Sequence, residues 1–112
     1  CVRTADRRVG YGASKPAVVG LSQAIAQEEE GVVRANAVAP GPMWGENVRR
    51  VFQEHASKAG ITIDEYVASR AVRIPGRRFV TVEECAQVCV FLASPDSSGI
   101  NGQCIVVDGG ES

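Results

Sequence analysis

The sequence predicts an α/β fold built on a parallel sheet, and three observations carry that prediction. A helix-patterned apolar run follows Tyr11 and reaches about residue 30; a mostly apolar stretch, residues 31–39, follows at once; a second helix, opened by Thr81, precedes the short apolar run Cys104–Val107. Helix followed by buried strand is one beat of a βα repeat, and strands covered on both faces read as near-continuous apolar runs. With 112 residues, 45% hydrophobic and 22% charged, the chain is at most one domain of ordinary globular composition. Its net charge of −1 gives no reason to expect nucleic acid or an anionic membrane as partner. No apolar run approaches the roughly 20 residues of a membrane span.

Residues 1–10 read as an arginine-rich loop. The helix over about 11–30 has an apolar stripe at Val18, Leu21 and Ile25. A second stripe of small residues, Ala13, Ala17, Gly20 and Ala24, suits close packing against a neighbouring helix or a second subunit. Pro16 requires a helix that starts near Gly12 or bends there, because proline has no N–H for an interior hydrogen bond. Glu28 to Glu30 form a solvated acidic end, and Gly31 terminates the helix. Val32, Val33, Ala35, Ala37 and Val38 make the buried strand, which Pro40-Gly41-Pro42 stops. In an open parallel sheet ligands bind beyond the carboxy ends of the strands, so this loop is where a ligand belongs.

Residues 43–79 give the least guidance. Val48, Val51, Phe52 and His55 are spaced as one helix, broken at Gly60; a second lies within 61–73, with Asp64 and Glu65 suited to its start. Trp44 and Phe52 either line a pocket or pack this segment onto the body, and His55 reads as a solvated helix residue. Arg73, Arg77 and Arg78 flank the Pro75-Gly76 turn, as an anion site or a solvated rim. Thr81-Val82-Glu83-Glu84 is a capping box. The helix it opens runs to about Ala93 and is expected to bury Val88, Cys89, Phe91 and Leu92. Residues 94–99 form a turn-rich loop before the strand at Cys104–Val107. Cys85 and Cys89, one turn apart, read as small buried hydrophobes, since nothing supplies the rest of a zinc site. Cysteines without pairing motifs point to a reducing, cytoplasmic setting.

The chemistry-bearing stretch is Tyr11-Gly12-Ala13-Ser14-Lys15. At this spacing tyrosine and lysine project from one helix face, and an ammonium beside a phenol favours phenolate, which suits proton transfer near neutral pH. Two further blocks follow in order, Asn36-Ala37-Val38-Ala39-Pro40-Gly41 and Gly102-Gln103-Cys104-Ile105-Val106-Val107-Asp108-Gly109-Gly110. With these three blocks, nearly the whole chain resembles the carboxy-terminal half of a short-chain dehydrogenase/reductase.

That resemblance implies an incomplete, carboxy-terminal part of a Rossmann-type doubly wound parallel sheet. Residues 1–112 would be half of a single NAD(P)-binding domain, with a lid insertion at about 43–79. It implies Tyr11 as general acid/base and Lys15 as the group that holds the nicotinamide ribose and favours tyrosinate. Pro40, Gly41 and Met43 would shape the nicotinamide pocket, and Trp44 would face substrate. Trp44-Gly45 stands where the family often has a phosphate-binding threonine, so that role does not carry over. NAD or NADP is the implied cofactor, a small alcohol or carbonyl the implied substrate, and a homodimer or homotetramer the implied assembly.

The sequence has no glycine-rich phosphate loop and no residue that selects NAD over NADP; the family's catalytic serine falls upstream of Cys1, and Ser14 does not replace it. The chain is therefore expected to be a piece of a longer oxidoreductase, inactive and poorly soluble by itself. A 3-oxoacyl-carrier-protein reductase is the alternative within the enzyme class. A truncated, non-catalytic dimerisation module is the alternative outside it.

Overall fold

The first helix begins before its motif. In the computed structural model α1 spans Val9–Glu28, so Val9 and Gly10 are helical rather than part of a loop, and Pro16 lies inside the helix. Starting earlier leaves the Gly12 carbonyl without its usual i+4 donor, the cost of an interior proline. The structure describes residues 9–28 and 31–112, without the side chains of Val9 and Tyr11. The loop reading of residues 1–8 and the helix end at Glu29 and Glu30 lie outside the described residues.

The chain divides into two compact units. The described residues up to Ala39 join Gln87–Val106 in one, and Pro40–Ala86 joins Val107–Ser112 in the other.

In the first unit, Gly31 adopts a left-handed φ of 83° as the chain turns after α1. The strand β1, Ala37–Pro40, starts later than the apolar pattern indicates and takes in Pro40. Val32 and Val33 are exposed and outside it, because the turn that follows Gly31 reaches as far as Val33. β1 pairs with β4, Cys104–Val107, the strand expected at those residues. Ala37 N–H donates to Gln103 and Gly41 N–H to Val107, so donors and acceptors advance together and the strands run parallel. The Asn36 side chain secures the entry to this pair, donating to the Ile100 carbonyl and accepting from Gln103 N–H, each at 2.9 Å. Asn101 ties the same region to α1, accepting from Ala35 N–H and donating to the Ala26 carbonyl.

The helix α4, Val82–Ala93, begins in the second unit and ends in the first, and a 3₁₀ turn, Pro95–Ser97, follows it. None of its residues is buried. This corrects the expectation for Val88, Cys89, Phe91 and Leu92: Cys89 and Phe91 are exposed and the other two half-buried. The apolar stripe of α1 is exposed as well, at Val18, Leu21 and Ile25. A sheet of two strands presents too narrow a face to cover two helices.

The second unit has its own core of Phe52, Ala71, Ile74 and Phe79, backed by Val48, Ile63, Tyr66 and Val67. α2, Glu46–Ala59, ends at Gly60 in the left-handed conformation. α3, Ile63–Ala71, opens on a capping box in which Thr62 and Glu65 satisfy each other's backbone N–H groups. Two strands of two residues each, β2 at Met43–Trp44 and β3 at Val80–Thr81, close the segment as a parallel pair, with Met43 opposite Val80 and Trp44 opposite Thr81. The Thr81–Glu84 capping box forms as read, with Thr81 N–H donating to Glu84 Oε2 and Glu84 N–H to Thr81 Oγ1.

Candidate functional site

Positions 11 and 15 lie four residues apart within α1, one turn along its axis. Lys15 is exposed. Pro40, Gly41, Met43 and Trp44, the other residues singled out from the sequence, all belong to the second unit.

There the loop after β1 is fixed by close packing. Pro40 is exposed, and Gly41 lies so near the end of β4 that a Cβ on it would come within 2.6 Å of the Asp108 Cβ and 3.0 Å of its Cα. Only glycine fits, because one of those atoms is backbone. Asp108 in turn accepts from Gly110 N–H at 2.8 Å and Ser112 N–H at 2.9 Å. Hydrogen bonds from Ser112 and Gly110 hold its carboxyl below the ordinary value.

Met43 is half-buried in β2. Trp44, 40% exposed, stacks on Phe79 at 6.1 Å and lies tilted to Phe52 at 6.3 Å. Phe52 is a core residue, which settles its role as packing, while Trp44 keeps part of its ring in solvent. His55 is exposed, as expected, with Nδ1 3.1 Å from the Tyr66 hydroxyl. Arg78 is engaged by Glu84, with Nη1 to Oε2 at 2.9 Å and Nη2 to Oε1 at 2.6 Å, while Arg73 and Arg77 are exposed. Among the described residues no cluster of His, Cys, Asp and Glu is arranged to hold a metal ion, and no helix is long and apolar enough to cross a membrane.

Arg34 escaped the sequence reading. Its guanidinium donates to four carbonyls, those of Leu92, Ser94, Ser97 and Ile100, at 2.9 to 3.2 Å. It thereby caps the carboxy end of α4 and the turn beyond it, where unpaired carbonyls and the helix dipole favour a cation. No local pattern announces this, since the partners are 58 to 66 residues away.

Residues 2–112 match a family model described as enoyl-(acyl carrier protein) reductase. The 3-oxoacyl-[acyl-carrier-protein] reductase FabG of Thermotoga maritima is 38% identical over 104 residues, 92% of this chain and 38% of that protein. A crystal structure of a short chain dehydrogenase family protein from Francisella tularensis superposes with a TM-score of 0.88 at 27% identity, over 99% of this chain and 46% of that one. The L-sorbose reductase of Gluconobacter frateurii, solved with NADPH and L-sorbose, superposes with a TM-score of 0.81 at 29% identity, over 90% of this chain and 39% of that one. The chain spans about two fifths of the length of the curated relatives it matches.

Proposed function

This chain belongs to the short-chain dehydrogenase/reductase family, and from that premise we propose that it is the carboxy-terminal half of an NAD(P)-dependent oxidoreductase that interconverts an alcohol and a carbonyl. Its architecture is part of the Rossmann-type α/β sheet of that family. The observation that carries the catalytic reading is the tyrosine and lysine one turn apart on α1.

NAD(P), when bound, supplies or accepts the hydride. Tyr11 acts as general acid/base: it protonates the carbonyl oxygen during reduction and takes the hydroxyl proton during oxidation. Lys15, an exposed ammonium, hydrogen-bonds the ribose hydroxyls and favours the tyrosinate by its charge. Pro40, Gly41 and Met43 bound the nicotinamide pocket. A strand end with an exposed proline and a glycine that bears no side chain fits the approach of a planar ring. Trp44 borders the substrate, and residues 43–79 form the lid over it. The sequence has no glycine-rich loop for the pyrophosphate, so these residues serve the nicotinamide end of the cofactor alone, and the 112-residue chain by itself is inactive. The intact protein is a homodimer or homotetramer. A cytoplasmic location suits cysteines that carry no pairing motif in the sequence.

The test is Tyr11→Phe in the intact protein, which keeps the ring and removes the transferable proton. Turnover, followed by the absorbance of reduced nicotinamide, is expected to fall by about two to four orders of magnitude with cofactor binding retained. Unchanged turnover ends the assignment. The similarity to a 3-oxoacyl-carrier-protein reductase favours a second reading, in which the substrate is a 3-oxoacyl thioester. A panel of acyl thioesters and small polyols or ketoses separates the two.

A further inference from the structure

The residues that follow β4 hold the second unit at several separate points. Asp108 draws Gly110 N–H and Ser112 N–H to its two carboxylate oxygens, and Gly109 and Gly110 take left-handed φ values of 68° and 91°, so the backbone folds back on itself. In that folded form the segment meets both ends of residues 43–79. Just before residue 43, Gly41 lies so close to Asp108 that no side chain fits on it. Near the other end of residues 43–79, a Cβ on Gly109 would fall 3.0 Å from Ile74 Cγ2, and one on Gly110 would fall 3.1 Å from Pro75 Cγ. Glu111 also reaches Arg70 of α3, with 3.6 Å between Oε1 and Nη2.

We propose that residues 108–112 are a tie that sets the pose of the substrate lid, with Asp108 as a positioning residue that acts through the two roots of the lid rather than on the reacting atoms. The inference rests on the reading of residues 43–79 as a lid. A segment fastened at both roots loses little further freedom when substrate binds, so fastening appears as tighter substrate binding rather than faster chemistry. Asp108 suits the task because an ionised carboxylate accepts at both oxygens, whereas the amide of Asn offers one acceptor and sets a donor against an N–H.

The test compares intact wild-type protein with Asp108→Asn and Asp108→Ala. Expected are a KM for the carbonyl substrate raised about tenfold, with kcat changed less than about threefold, the pattern of lost binding rather than lost transition-state contacts. NADPH affinity, read by fluorescence titration, is expected to stay within about twofold, with faster protease cleavage inside residues 43–79. Unchanged KM and unchanged cleavage overturn the proposal. So does a parallel loss of kcat, KM, cofactor affinity and melting temperature, which marks a general support of the fold. If the Asp108 variants do not fold, Arg70→Gln, Glu111→Gln and the double variant decide: a KM raised about two- to threefold in each, with the double no worse than the singles, supports the tie. Three unchanged KM values overturn it. If wild-type protein turns over no substrate with NAD(P)H, the proposed function fails, and lid cleavage alone then judges the tie.

Discussion

A single side chain closes the end of α4. Arg34 satisfies carbonyls in the last turn of the helix, in the 3₁₀ turn and beyond it, and no uncharged residue offers that many donors. Arg34→Met keeps much of the stem and removes every charged donor, leaving the carbonyls of Leu92 and Ser94 with Ser97 alone, that of Ser97 with Ile100 N–H and that of Ile100 with Asn36. The expected loss is about 2–3 kcal/mol, read from the urea midpoint of the intact protein. Arg34→Lys is expected to recover only a minor part, since an ammonium is a point donor and not a planar fork. A variant as stable as wild type would show that water replaces the guanidinium. Gly41 makes the complementary case, in which packing depends on an absent side chain. Gly41→Ala drives a methyl into the Asp108 backbone and is expected to cost about 1–3 kcal/mol and to displace the loop after β1. An unaltered melting temperature together with unaltered cofactor affinity would contradict that. Arg34 was illegible in the sequence because its partners are distant along the chain. Gly41 was legible as part of a Pro-Gly-Pro turn and, through the family resemblance, as a residue of the nicotinamide pocket, and neither gave a hint that Asp108 forbids a side chain.

At the scale of elements, the start of α4 rests on charge. Glu84 is held down to about 2 by the Arg78 guanidinium first and by Thr81 N–H second. A carboxyl whose folded value lies below its unfolded one stabilises fully above the ordinary 4.5, and that contribution is lost as pH falls toward about 2. Glu84 is exposed to solvent, so the effect is small and salt-sensitive. Glu84→Gln is therefore expected to melt below wild type at neutral pH, with the gap closing as pH falls to about 2. A gap independent of pH would assign the loss to shape rather than charge. The capping box was legible because its partners are three residues apart and chemically matched. The same arithmetic at Thr62 and Glu65 passed unnoticed, since Asp64 and Glu65 were read only as acidic residues at a helix start. β2 and β3 were illegible, since strands of two residues have no period to detect and exist only through each other.

Over the whole chain, apolar patterning located elements better than it located their burial. The helix and strand runs fell close to where Val18, Leu21, Ile25 and the Cys104–Val107 stretch placed them, and the strands do run parallel. Periodicity records which side of a helix is apolar, but not whether a layer is present to cover it. Val18 and Leu21 on α1 are 56% and 61% exposed, and Val90 on α4 is 70% exposed. The described strands form sheets of two, a size that is marginal without further layers and leaves strand edges open. The 112-residue chain, produced by itself, is therefore expected to self-associate, with sedimentation showing a broad, concentration-dependent distribution and heating showing no cooperative transition. Val18→Gln with Leu21→Gln is expected to narrow that distribution by removing the most exposed part of the α1 stripe, without restoring cooperative melting, because the open strand edges remain. A monodisperse monomer with a sharp transition would mean that the two units bury enough surface to stand alone, and the exposed stripes would then need another explanation.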